Sequence, residues 1–235
     1  MANWLIAASD FVTTGGMDIA NWHLARWLAR NDSVELVSHR VDPELAKLPN
    51  ITVTTVHRPW NMNVLGEPRL RHTALKRAKD YSPPNRIVAN GGNCPAPDIN
   101  WVHYVHAAFM PVTAGSLLRR LKTSYYHRQC VRTERAAFEK ARVIVCNSKL
   151  SAKHIVERIG IAESKTRVVY YGSDPSVLKP IAVADRHEAR VLLGWSDVPR
   201  AVFVGALGDR RKGFDVLYDA WKTLCADPDW DANLA

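Results

Sequence analysis

The chain has 235 residues, 47% of them hydrophobic, which excludes a disordered tail and suits one large domain or one and a half smaller ones. With 32 Lys and Arg against 23 Asp and Glu, the formal net charge of +9 points to anionic partners: nucleic acid, a membrane surface or phosphorylated small molecules. The 4 cysteines form no CxxC pair and no Cys/His cluster, which argues against a zinc site and a disulfide framework and fits a reduced cytoplasmic protein.

The N-terminal "MANWLIAASDFVTTGG" has no basic leader and only a short apolar run, so it reads as a first strand and not a signal peptide. Strands are expected at 4–9, 34–39, 51–56, 86–91, 101–106, 142–147, 167–172 and 201–206. Helices are expected between them, at about 17–30, 65–80, 114–141, 150–159 and 213–226. Such alternation predicts an α/β protein with a Rossmann-like parallel sheet covered by helices on both faces. No stretch approaches the roughly 18 apolar residues of a membrane span. The segment 173–200 holds three prolines and reads as a connector with one short helix; a domain boundary is expected inside it.

In open α/β sheets ligands bind at the carboxyl edge of the strands, so candidate residues are sought there. Gly15 and Gly16 stand between the first strand and its helix, where free N–H groups and the helix dipole can receive a phosphate; a tight turn is the plainer reading. No Gly-x-Gly-x-x-Gly fingerprint is present, which disfavours a nicotinamide cofactor. In "NWVHYVHAAF" His103 and His106 fall at opposite parities, so one faces the sheet interior and the other, taken to be His106, the carboxyl edge. Either could be a structural hydrogen-bonding residue, and no Asp or Glu at metal-ligand spacing accompanies them.

The long helix "AGSLLRRLKTSYYHRQCVRTERAAFEKAR" carries Leu117, Leu118, Leu121 and Tyr125 on one side and cations such as Arg119, Arg120 and Lys122 largely elsewhere. It suits an anionic membrane surface or an ordinary solvated face; no nucleic-acid reader motif accompanies the charge. Last comes "FVGALGDRRKGFDVLYDAW", a strand that breaks at glycine into Arg210, Arg211 and Lys212 and then an amphipathic helix. A turn of this kind is suited to holding an anion.

Three segments, "VIVCNSKLSAKHI", "VVYYGSDPSVLKP" and "VFVGALGDRRKGFDVLYDAW", occur in the order and spacing seen in the group 1 glycosyltransferases, and the sequence resembles that retaining, glycogen-synthase-like family with the GT-B fold. Gly15-Gly16 and the "VHYVH" segment match it in place, so the resemblance runs the whole length of the chain. The resemblance implies two Rossmann-like domains. An N-terminal acceptor-side domain is expected over about 1–175, a linker over about 176–200, and the incomplete start of a nucleotide-sugar-binding domain over about 201–235. It implies hexosyl transfer from a nucleotide-diphosphate sugar to a glycan or lipid-linked acceptor, with no metal cofactor, in the cytoplasm with peripheral contact to the anionic inner face of the membrane.

By the same resemblance His106 contacts the transferred sugar and is assigned, with Lys212, to catalysis. Gly15, Gly16, Arg211 and Lys212 are assigned to the donor phosphates, whose developing charge needs fixed cations. One departure is Ala206 where many members carry Arg, a charge that Arg210 could supply. The other is the family's paired glutamates seven residues apart, which are expected downstream of Ala235, so little or no transfer is expected of this chain alone. A non-catalytic acceptor-binding module and a basic nucleic-acid-binding protein are the alternatives.

Overall fold

The computed structural model describes residues 3–235 except 96, 112–115, 174, 177, 206 and 208–211. It divides into two compact units, Met1–Gly172 and Ser173–Ala235.

In the first unit seven parallel strands form one sheet. In chain order they are β1 (Asn3–Ala7), β2 (Ser33–Ser38), β3 (Ile51–Thr55), β4 (Arg86–Ala89), β5 (Ile99–Val102), β6 (Val143–Cys146) and β7 (Thr166–Val168). Their order across the sheet is β3-β2-β1-β4-β5-β6-β7. The order reverses at β1, so the β1/β4 crevice is the topological switch point. Register is exact about that centre: Ile6 lies opposite Leu36 on one side and Val88 on the other.

Helices α1 (Gly16–Leu28), α2 (Asn63–Ala78), α3 (Leu117–Lys140) and α4 (Lys149–His154) cover the sheet. Successive residues of β1 point to opposite faces, and both faces are buried. Ile6 and Ala8 join Ala25 and Leu28 of α1 in one apolar cluster. Leu5 and Ala7 join Leu70, Ala74 and Ala78 of α2 in another. A third cluster packs Phe138 of α3 against Ile144 of β6 and Ile155 beyond α4. Each fully buried Leu, Ile or Phe contributes about 1.5–3 kcal/mol over its exposed state.

The elements begin where their sequences permit. Gly15, at φ 90°, precedes α1 in a conformation that a side chain would strain. Ser116 accepts a hydrogen bond from the Arg119 N–H to cap α3, and Ser148 accepts one from the Ser151 N–H at 3.0 Å to cap α4. Within β2 the buried Glu35 is held by Arg77 at 2.7 Å, by Thr54 and by Tyr81. Burial opposes charge there, yet Arg77 and its other donors hold the carboxyl below the usual range.

Two expected strands shorten. The 101–106 segment is a strand only to Val102, and 167–172 only to Val168. Beyond them, His103 and Tyr171 make side-chain contacts with each other at the edge of the sheet. The parity argument for His103 and His106 therefore fails, because both lie past the carboxyl end of β5. Nor does the Leu117, Leu118, Leu121 and Tyr125 side of α3 face the core: all four are exposed, Leu118 by 78%. The core contact of α3 is its C-terminal half, through Cys130, Glu134, Ala137 and Phe138.

In the second unit, helix Val183–Leu192 occupies the connector. The strand expected at 201–206 is only Arg200–Ala201, paired in parallel with Asn233–Leu234, and helix Phe214–Leu224 lies between them in sequence. Among the described residues no helix is long and apolar enough to cross a membrane.

Candidate functional site at the carboxyl edge of the sheet

Three neighbouring strands each end in a polar residue. Asn90, His103 and Asn147 are the first residues after β4, β5 and β6. Parallel strands deliver these side chains to one edge, and the structure links them. His103 Nε2 lies 3.0 Å from Asn90 Nδ2 and 3.1 Å from Oδ1 of Asn21, a buried residue of α1. Its Nδ1 meets the Tyr171 hydroxyl. Asn147 Nδ2 donates to the His103 carbonyl at 3.1 Å. Burial pushes the His103 ring down to about 4, so it is neutral at pH 7 and can donate from one nitrogen while accepting at the other.

His106 lies three residues further, in the turn His106–Ala108, and is its chemical opposite. Its backbone N–H donates to Glu134 Oε2 at 2.9 Å, and its ring Nδ1 lies 3.0 Å from Glu134 Oε1. Glu134 is 1% exposed, whereas the His106 side chain keeps 34% of its surface. Burial lowers the ring's basicity, but contacts with Cys130 and then Glu134 outweigh it and push His106 up to about 10. The carboxyl edge thus carries one neutral imidazole and one imidazolium.

Gly15 and Gly16 stand at the N-terminus of α1 near the switch point. A side chain at Gly15 would be strained by its φ and would meet Asp18 Oδ2 at 3.3 Å, whereas one at Gly16 would meet nothing within 4 Å. Packing therefore leaves the Gly16 backbone uncovered. Asp18, in the first turn, is raised by burial first and by Asp10 second.

Lys212 belongs to the second unit and is exposed, next to Gly213 at φ 73°. A Cβ built on Gly205 would lie 3.5 Å from Lys212 Cβ. Arg211, Arg210 and Ala206 lie outside the described residues. Among the described residues no group of three or more His, Cys, Asp or Glu is arranged to hold a metal ion.

Residues 14–177 match the model of Glycosyltransferase Family 4. The chain belongs to that family. Its fold is similar to solved members of the glycosyltransferase class. WaaG, a glycosyltransferase involved in lipopolysaccharide biosynthesis, superposes with a TM-score of 0.73 at 16% identity, over 99% of this chain and 62% of that one. HepE from Anabaena, solved in complex with UDP-glucose, gives 0.63 at 18% identity, over 100% and 60%. A glycosyltransferase from Rickettsia africae ESF-5 gives 0.54 at 13% identity, over 99% and 60%. The chain spans about three fifths of the length of these proteins. A search of curated protein sequences found no match.

Sequence reasoning took His106 as the edge residue and so left His103 to the sheet interior. Asn21, Asn90, Asn147, Tyr171 and Glu134 it did not name as site residues. The signal for two of these positions, as for His103, is in the sequence: a polar residue directly after an apolar strand, at 90, 147 and 103.

Proposed function

We propose that this Glycosyltransferase Family 4 chain serves retaining hexosyl transfer from a nucleoside-diphosphate sugar to a glycan or lipid-linked acceptor. The observation that carries the reading is His106 at the carboxyl edge, gripped through its backbone N–H and its ring by the buried Glu134, with Cys130 and Glu134 together raising the ring's pKa. A fixed positive charge at that edge stabilises negative charge that develops as the sugar–phosphate bond breaks. The UDP-glucose complex of HepE supports a nucleotide-sugar donor.

In this reading the uncovered backbone at Gly15-Gly16 and the N-terminus of α1 approach the donor phosphates, and Lys212 with Arg211 neutralises the departing diphosphate without a metal. His106 contacts the sugar. The exposed Leu117, Leu118 and Leu121, beside Arg119, Arg120 and Lys122, give the protein a peripheral foothold on anionic lipid at the cytoplasmic face.

Radiolabelled-sugar transfer tests this. His106→Ala and Lys212→Ala should each lower kcat by about a hundredfold or more, as loss of one charge-stabilising donor does elsewhere. Unchanged turnover in either removes that residue from the site. Acceptor binding with no transfer from any of a panel of nucleotide sugars overturns the enzymatic reading in favour of a binding module.

A further inference from the structure

Glu134 is a carboxylate inside the protein, and no sheet or helix needs one there. Its helix face is otherwise apolar, with Ala137 and Phe138 fully buried beside it. An uncompensated buried charge is strongly destabilising, and a hydrophobic residue of similar volume would avoid that cost. What Glu134 does instead is grip one residue twice, through the His106 backbone N–H and the His106 ring, across 28 positions of sequence. Two glycines approach this turn of α3. A Cβ at Gly91 would stand 3.5 Å from Glu134 Oε1, and one at Gly92 would stand 3.2 Å from the Glu134 backbone nitrogen.

We propose that Glu134 is a positioning residue for the reaction: gripping both the His106 backbone N–H and ring Nδ1, its carboxylate fixes the rotation of the His106 ring towards the sugar donor. The proposal rests on the reading of His106 given above. Two anchors on one side chain leave the ring little freedom, and holding a reacting group in place is worth large factors in rate. The proton on Nδ1 is committed to Glu134, so the electrostatic role falls to the ring's charge as a whole.

Of the other groups that face His106, Cys130 also raises the ring's pKa, but only Glu134 grips both the ring and the backbone. From α3 come Cys130, which also contacts the ring, and His127, a like charge when protonated and itself lowered by burial first and His106 second. Tyr104 packs edge-on at 4.8 Å between ring centroids. The Ile155–Ile159 turn contributes Ile155 and Ile159 to the same apolar cluster as Val105 and Ala107.

NMR titration of the His106 ring in the 235-residue chain reads the pairing without any activity. The wild-type midpoint should lie near 10, fall by about two units in Glu134→Gln and take an intermediate value in Glu134→Asp. In sugar-transfer assays Glu134→Gln should lower kcat about tenfold or more, move the alkaline limb of the pH–rate profile down with the midpoint, and add nothing in a His106→Ala background. A wild-type midpoint in the ordinary histidine range, about 6.5, overturns the proposal whether or not the variants fold. An unmoved midpoint in folded Glu134→Gln also overturns it and leaves the role of His106 standing. A displaced midpoint with unchanged transfer in Glu134→Gln overturns the positioning role, while the reading of His106 stands or falls separately on His106→Ala.

Discussion

Acid should loosen the first unit through His103. The folded chain holds this ring at about 4 because burial disfavours its charged form, while the unfolded chain protonates it near 6.5. A group whose folded pKa lies below its unfolded one withdraws stability as pH falls from the unfolded value towards the folded one. Each unit corresponds to about 1.4 kcal/mol, so acidification from about pH 6.5 to about pH 5 removes at most about 2 kcal/mol. Solvent reaching the partly exposed ring reduces this to about 1 kcal/mol. His103→Gln replaces the imidazole with an amide that does not titrate, so the comparison isolates the ring. Urea unfolding of both proteins at about pH 7 and about pH 5 should show the wild type losing about 1 kcal/mol more than the variant. The window is clean. Asp10 and Glu35, both held low by arginine partners against the cost of burial, withdraw stability only below about pH 4. His106, whose folded value is raised, contributes fully below about 6.5 and loses its contribution as pH climbs towards about 10. His127 is common to both proteins. Equal losses in the two proteins between those pH values would refute the reasoning, as would a His103 resonance titrating near 6.5.

Gly92→Ala would set a methyl 2.7 Å from Thr133 Oγ1 and 3.2 Å from the Glu134 backbone nitrogen, neither of them a flexible tip. It should cost about 1–3 kcal/mol in chemical denaturation, with the Glu134–His106 contact disturbed; an unchanged midpoint would mean that α3 shifts freely. The exposed N-terminal half of α3 should carry the chain to anionic vesicles in flotation, and salt should release it, because exposed charges are screened over about 8 Å at physiological ionic strength. Equal recovery with neutral lipid would leave that half of the helix as a solvated surface.

The alternation of apolar runs and amphipathic stretches was enough to specify the sheet, because a parallel strand needs a crossover and the crossover must bury one face. The order of three short segments was likewise enough to indicate the family. Where strands end was less legible. "WVHYVH" continues an apolar-polar alternation to residue 106, but β5 stops at Val102 because His103 finds Asn90, Asn21 and Tyr171 at the edge. These partners come from α1, the residue after β4 and the stretch after β7, up to 82 residues away, and no local pattern announces them. Glu134 was equally hidden. At the level of sequence it is one of several charges on a basic helix, and only the packing of α3 against the turns after β4 and β5 makes it a buried carboxylate with a single histidine to hold. The sequence by itself determined which residues are apolar, and therefore the sheet, its two helical layers and its carboxyl edge. The tertiary structure alone decided the protonation of the two histidines there, because burial and the charge of a neighbour act through distance in space.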